Sequence, residues 1–379
     1  MPAPHLVFVV NTDWFFLSHR LPVARAAMAE GFRVTLVAPD CGHGAKVRAE
    51  GVGFVPVPFD RGGTNPTRDA ATVARLTRVL RALRPDLVHL VTPKGVIYGA
   101  VAARLAGVPR IVAAISGLGV AFSAPDRPLA RIVERLYEHA LRPLPFERRA
   151  VRAVFQNPDD ADLFVALGIV RRRDVVEIRG SGVDLARFAP ADEPAGPPLA
   201  LFASRLLREK GADVFLEVAR RLAGRVDVRF AMAGRTDPDN PTSLSEAELT
   251  AAEAEGIVRL LGHVEDMPAA FRDAHLVVFP TRYREGLPKV LAEAAAAGRP
   301  IVASDVPGCR EVVRHGDGGL LVPPGDMEAT ARAVERLATD PSLRRRMGRA
   351  GRALAERGLG VDDVVEAHLA MYRDLLRAP

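Results

Sequence analysis

Short apolar runs alternate with longer stretches of helical spacing along nearly the whole chain. Residues 6–10, 33–38, 87–91 and 110–114 are runs of buried-strand length. Between them, residues 21–30, 68–83 and 96–106 carry apolar side chains at helical intervals, the last closed by Gly107 and Pro109. Strands that are apolar throughout, rather than alternating, belong to a parallel sheet covered on both faces, so this half predicts a doubly wound α/β domain. The rhythm breaks at 187–198, where Pro190, Pro194, Pro197, Pro198 and Gly196 fall within twelve positions and mark a linker. It then restarts, with strands expected at 199–203, 228–233, 257–261, 276–279, 300–303 and 319–322 and helices including 212–222 and 287–297. A last helix over about 361–376 has an apolar stripe that must dock on another element. The expected architecture is two doubly wound, Rossmann-like domains, 1–186 and 199–358, joined by 187–198 and followed by a C-terminal segment at 359–379. Ligands of such sheets bind beyond the carboxyl ends of the strands, and the cleft between two such domains is the default site.

Composition narrows the class. With 379 residues, 48% hydrophobic and 26% charged, the chain can build two cores. Only Cys41 and Cys309 are present, one in each half, which excludes a disulfide framework and a zinc site and suits a reducing compartment. The N-terminal apolar run lacks a basic flank, and the longest uncharged stretch, 111–125, falls short of the ~20 residues that span a bilayer. A cytoplasmic protein, or one resting on a membrane face, is expected. The net charge of +6 is uneven: residues 1–180 hold 25 basic and 16 acidic side chains, and 181–379 hold 27 and 30.

The second half carries a constellation. Glu285 and Glu293 stand eight residues apart, one at the entrance of the helix after the strand at 276–279 and one about two turns inside. A helix entrance favours anions, and Gly286 permits close approach of a ligand to the backbone. Glu285 can face a ligand hydroxyl, and Glu293 can accept from a diol. After the strand at 199–203, Arg205 and Lys210 are placed to neutralise phosphates at the sheet edge. Lys is rare here, with only Lys46, Lys94, Lys210 and Lys289, so Lys210 is informative. The bland alternative is a solvated basic loop beside a surface helix. No Asp-x-Asp stands at a strand end, and Asp237-Pro-Asp239 reads as a turn, so no metal is expected.

Together these pieces resemble the retaining glycosyltransferases of family 4, which have the GT-B fold. Also matching are residues 182–188, Ala233-Gly234, Gly262-His263-Val264, 306–312 and 317–326. The resemblance implies that Arg205 and Lys210 bind the donor diphosphate and that Glu285 contacts the donor sugar. It implies that Glu293 holds the ribose hydroxyls, that Gly286 and Leu287 offer backbone N–H groups, and that the base lies near Gly262, His263 and Val264. It further implies retention of configuration without a metal or cofactor, a UDP-type nucleotide-sugar donor, and a last helix that crosses back to the first domain.

Acceptor recognition falls to the first domain in that family. Here Asn11 and the run Trp14-Phe15-Phe16, then His19 and Arg20, follow the first strand, in place of the family's glycine-rich loop. Aromatics are only 6% of the chain, so three in a row suggest stacking on a sugar or contact with lipid, or else simple packing. The stretches at 63–66, 84–99 and 114–119 resemble the bacterial subgroup that extends undecaprenyl-diphosphate-linked sugars in polysaccharide and glycan assembly. They add Lys94 and Ser116 as acceptor candidates, Ser116 standing where many members have His. Residues 127–152 carry Arg127, Arg131, Arg135, Arg142, Arg148, Arg149 and Arg152 against Glu134, Glu138 and Glu147, with an apolar face of Leu129, Ile132, Val133, Leu136 and Tyr137. Such a segment can lie on an anionic membrane surface or pack with a solvated basic face. The expected partners are a nucleotide sugar, a lipid-linked saccharide and the cytoplasmic face of the inner membrane. Two rivals stay open, a sugar-nucleotide epimerase on the same fold and a non-catalytic two-domain binding protein. Nucleic-acid binding lacks a reading motif, and a nicotinamide dehydrogenase lacks an early G-x-G-x-x-G.

Overall fold

In a computed structural model of the chain, residues 3–59, 66–118, 128–142, 150–238 and 240–377 are described. Of the positions singled out above, 63–65, Gly119, Arg127, 147–149 and Asp239, with the side chain of Leu129, lie outside this description. The chain divides into two compact units, Met1–Ser181 with Asp362–Pro379, and Gly182–Val361.

The first unit is built on β1 (His5–Val9), β2 (Arg33–Ala38), β3 (Gly53–Pro56), β4 (Leu87–Val91), β5 (Arg110–Ile115), β6 (Ala150–Phe155) and β7 (Val175–Glu177). These form one parallel sheet in the order β3-β2-β1-β4-β5-β6-β7. The continuous apolar character of β1 has a direct consequence. Val7 and Val9 enter the core on one face, whereas Leu6 and Phe8 enter the core on the other. The order of strands reverses between β1 and β4, which makes their carboxyl ends the switch point where a ligand can enter. Strands β3, β6 and β7 were not expected. Gly53 and Pro56 spoil the pattern of β3, Arg152 interrupts β6, and β7 is three residues at the sheet edge.

The second unit holds β8 (Leu199–Ala203), β9 (Arg229–Ala233), β10 (Arg259–Gly262), β11 (Leu276–Phe279), β12 (Ile301–Ser304) and β13 (Gly319–Val322). This sheet is also parallel, ordered β10-β9-β8-β11-β12-β13, with its switch point between β8 and β11.

Two boundaries differ from expectation. The first unit ends at Ser181, and the Pro-rich stretch 187–198 lies within the second unit. Its backbone and carboxylates are in use there. Arg344 forks onto Glu193 at 2.9 and 3.0 Å, and Arg299 donates to the Asp192 carbonyl. The His275 ring meets the Pro194 carbonyl at 3.0 Å. Proline density marks stiffness there, not separation. The C-terminal helix, Val361–Arg377, packs on the first unit, where Val364, Leu369, Met371, Tyr372 and Leu375 join the core shared with Leu6, Phe8 and Leu36. Among the described residues no helix is long and apolar enough to cross a membrane.

Candidate functional site

At the switch point of the second sheet the backbone passes very close to itself. Gly211, with φ +80°, follows the single 3₁₀ turn Arg208–Lys210 and starts the Ala212–Leu222 helix. A Cβ there would sit 2.1 Å from the Pro280 carbonyl oxygen, so only glycine lets the loop after β8 reach the end of β11. The two loops are then sewn together. Arg282 N donates to the Glu209 carbonyl at 2.8 Å, and the Arg282 guanidinium grips both oxygens of Asp213 at 2.8 and 3.1 Å.

This contact brings two of the expected donor residues, Lys210 and Glu285, together. Lys210 Nζ donates to both oxygens of Glu285, at 2.7 and 2.9 Å, with both side chains mostly buried. The ammonium also lies 5.0 Å over the Tyr283 ring and 5.8 Å over the Phe279 ring. Thr281, with no exposed surface, donates from Oγ1 to Glu285 Oε1 at 2.9 Å. Arg205 reaches out instead, half exposed, and pairs with Asp237 at 2.8 Å. Gly308 packs against the Glu285–Gly286 backbone so closely that a Cβ would lie 2.0 Å from the Gly286 carbonyl oxygen.

The helix after Glu285 begins later than the sequence suggests. It spans Lys289–Ala296 with Pro288 as N-cap, because Pro288 holds its φ at −65° with an extended ψ. Glu285, Gly286 and Leu287 therefore belong to the approach and not to the first turn. Glu293 lies within this helix, its carboxyl raised by burial against the opposing pull of Lys289 and Arg187. Lys289 Nζ stands 3.7 Å away, one turn back. Gly262, at φ +60°, ends β10 with its carbonyl accepting from Gly234 N at 2.7 Å; His263 is exposed and Val264 half-buried. A cavity of about 580 Å³ opens beside them, lined among others by Leu206, Gly234, Arg235, Leu260 and Gly262. Thr281, Tyr283 and Glu209 were given no role in the sequence, nor was Gly308 within the matching stretch 306–312, although Thr281 and Tyr283 sit just past a strand end, where ligand residues concentrate.

In the first unit the acceptor candidates follow the carboxyl ends of β1, β4 and β5. The aromatic run is split by its helix, Asp13–His19. Phe16 is core, edge-on to Phe8 at 5.4 Å, whereas Trp14 is 39% exposed and Phe15 stacks on His19 at 4.1 Å. Asn11 precedes this helix and is half-buried. Buried Asp13 accepts from the backbone N–H groups of Trp14, Cys41 and His43 at 2.7–3.0 Å. Burial alone would raise its carboxyl, but these donors hold it below the usual carboxylate range. Lys94 stands in the first turn of the Pro93–Ala106 helix, 3.7 Å from Asp69 and 5.7 Å over the Tyr98 ring. Thr92 before it has φ +71° and ψ +153°, a strained geometry for a β-branched residue at a switch point. Ser116, just past β5, has a buried Oγ.

Arg20 is corrected. It is 2% exposed, and its guanidinium donates to the His19 carbonyl inside a cluster with His89, His368 and Tyr372, so it serves the core and not the surface. Burial lowers Arg20 to about 10 and His368 to about 3, and it lowers His89 as well.

Two doubly wound parallel-sheet units are the architecture of the GT-B class of glycosyltransferase. The chain belongs to these enzymes: residues 197–340 match the family described as Glycosyl transferases group 1, and residues 5–144 match Glycosyl transferase 4-like. It is 25% identical to the N,N'-diacetylbacillosaminyl-diphospho-undecaprenol alpha-1,3-N-acetylgalactosaminyltransferase of Campylobacter jejuni, over 96% of this chain and 98% of that one. It is 32% identical to the alpha-D-kanosaminyltransferase of Streptomyces kanamyceticus, over only 47% of this chain and 46% of that one. A solved structure of Anabaena HepE in complex with UDP and glucose shares the fold, with a TM-score of 0.76 at 17% identity, covering 97% of this chain and 99% of that one.

Proposed function

We propose that this glycosyltransferase moves a sugar, with retention, from a UDP-type nucleotide donor to a hydroxyl of an undecaprenyl-diphosphate-linked saccharide at the cytoplasmic membrane face. The observation that carries this reading is the Lys210–Glu285 pair at the β8/β11 switch point. In this reading Lys210 and the outward-reaching Arg205 take the donor diphosphate. Glu285 faces the sugar, where positive charge develops as the bond to the leaving phosphate breaks. The acceptor oxygen forms the new bond to the anomeric carbon on the face the diphosphate leaves, and its proton passes to a diphosphate oxygen. Glu293, kept beside Lys289, meets the ribose hydroxyls, and the nucleobase lies near Gly262, His263 and Val264. Gly286 and Leu287 line the approach. The negative charge of the leaving diphosphate is met by Arg205 and Lys210, so the reaction runs without a metal.

The lipid-linked acceptor is supported by the full-length match to the Campylobacter enzyme, which names a diphospho-undecaprenol substrate. Asn11, Trp14, His19, Lys94 and Ser116 are proposed to receive it. The Pro128–Leu141 helix supplies a membrane contact, since Arg131, Ile132, Arg135 and Leu136 are all exposed on it.

Transfer from labelled UDP-sugars to undecaprenyl-diphosphate saccharides tests this reading. Arg205→Ala, Lys210→Ala and Glu285→Gln should each lower the rate by about 100-fold or more. EDTA should leave the wild-type rate unchanged. Wild-type rates in all three variants would remove the site, and isomerised sugar from donor alone would favour an epimerase.

A further inference from the structure

Two residues outside the expected constellation hold it in shape. Thr281 Oγ1 accepts from the Tyr283 backbone N–H at 3.1 Å, which turns its single proton toward acceptors. Two lie in reach, Glu285 Oε1 at 2.9 Å and the Glu209 carbonyl at 3.1 Å, and a charged carboxylate is the stronger acceptor. Tyr283 presents its ring 5.0 Å from Lys210 Nζ and fixes that ring by donating its hydroxyl to Glu209. Glu209 is itself held by the Thr242 hydroxyl at 2.6 Å.

We infer that Thr281 and Tyr283 are positioning residues for glycosyl transfer: Thr281 keeps the Glu285 carboxylate aimed when the donor diphosphate draws Lys210 away from it, and the Tyr283 ring limits how far Lys210 travels. This rests on the donor-site reading above. In the structure Glu285 accepts charge-assisted bonds from Lys210 and Thr281, and donor binding puts the diphosphate in competition for the first. A carboxylate that loses the Thr281 hydrogen bond as well as Lys210 is aimed less firmly, and a displacement of about 1 Å at a reacting centre costs about 100-fold in rate. Thr281 shares Glu285 Oε1 with Lys210 and stays in place through that exchange, because its hydroxyl is fixed by the Tyr283 backbone N–H of its own loop.

The two residues should therefore fail differently. Thr281→Val keeps shape and burial and removes the hydrogen bond; kcat should fall by about 10- to 100-fold with donor KM within about threefold. Thr281→Ser should restore most of kcat. Tyr283→Leu should raise donor KM about tenfold with a smaller change in kcat, and Tyr283→Phe, which keeps the ring, should stay within about threefold of wild type in KM. Steady-state kinetics on the full chain, with thermal unfolding of each variant, reads these. Equal kcat in Thr281→Val and wild type would overturn the inference. So would equal losses in Thr281→Val and Thr281→Ser accompanied by lowered melting temperatures, since both would then report on folding. The same assays on Lys210→Ala and Glu285→Gln separate the two levels: losses there with none in Thr281→Val reject the positioning role alone, whereas no loss in either rejects the donor site itself.

Discussion

Single atoms set several features of this enzyme. Gly308 has no room for a methyl group beside the Gly286 carbonyl oxygen, so Gly308→Ala must shift the Glu285–Gly286 loop or the Pro307–Arg310 turn packed on it. Overpacking of this kind costs about 1–3 kcal/mol. The expected result is a lowered urea midpoint together with weakened donor binding, read by unfolding and by calorimetric titration with UDP. The buried rings of His89 and His368 act on the first unit through protons. Both are neutral in the fold, His368 down to about pH 3, and both sit near the Arg20 charge. An unfolded histidine takes up a proton near pH 6.5. Between that value and the folded one the unfolded chain binds more protons, so stability falls as pH falls, by up to about 1.4 kcal/mol per unit for each ring. Urea midpoints measured at pH 7, 6 and 5 should drop steadily, and His368→Gln should flatten that slope. An unchanged slope would mean that other groups carry the acid sensitivity.

At the scale of elements, the Pro128–Leu141 helix explains why a basic segment need not be merely a solvated surface. Its inner side is closed by Tyr137, Ala140 and Leu141, yet Ile132 is 53% and Leu136 42% exposed, one turn apart and flanked by Arg131 and Arg135. An apolar pair bordered by arginines fits the boundary between anionic headgroups and acyl chains. Ile132→Ser with Leu136→Ser should weaken sedimentation with phosphatidylglycerol-containing vesicles severalfold. Arg131→Glu with Arg135→Glu should weaken it further at low salt than at high salt. UDP binding should be unaffected in both. The positions of strands within the parallel sheets were legible wherever a strand was a continuous apolar run, as at β1, β4 and β12. They were not legible at β3, β6 and β7, where position near a sheet edge permits Gly, Pro or Arg and erases the pattern. The start of the helix bearing Glu293 was misread by two residues, because Pro288 can open a first turn or cap it, and the sequence does not distinguish these.

At the scale of the whole molecule, the first unit is completed by residues from the far end of the chain. Tyr372 is fully buried and bonded to His89, the Arg110 guanidinium meets the Leu375 carbonyl at 2.5 Å, and Arg373 pairs with Glu30 at 2.9 Å. Removing 362–379 would strip one face of the first sheet of Val364, Leu369, Met371, Tyr372 and Leu375. A chain truncated after Val361 should lose the cooperative unfolding of the first unit while UDP still binds the second. Tyr372→Ala should destabilise by about 3–5 kcal/mol, as for other large buried aromatics. Differential calorimetry of both variants checks this, and a first-unit transition at its original temperature would contradict it. The charge asymmetry also has its place at this scale. The excess of basic residues in 1–180 belongs to the unit with the exposed amphipathic helix, and the proposed donor residues lie in the other half.

The sequence alone determined the class of fold and the existence of two sheets, and it singled out Arg205, Lys210, Glu285 and Glu293 as donor-site candidates. These follow from local order: apolar runs demand a covered sheet, Arg205, Lys210 and Glu285 fall soon after strand ends, where such sheets bind ligands, and Glu293 is marked by its spacing from Glu285. Tertiary structure decided what those residues touch. That Lys210 would meet Glu285, 75 positions away, depended on a glycine approaching the Pro280 carbonyl and on an arginine joining two loops. That Arg20 would turn inward while Trp14 faced out depended on which side of a seven-residue helix met Phe8. Long-range contacts of this kind are selected by packing over the whole sheet, and no window of neighbouring residues contains them.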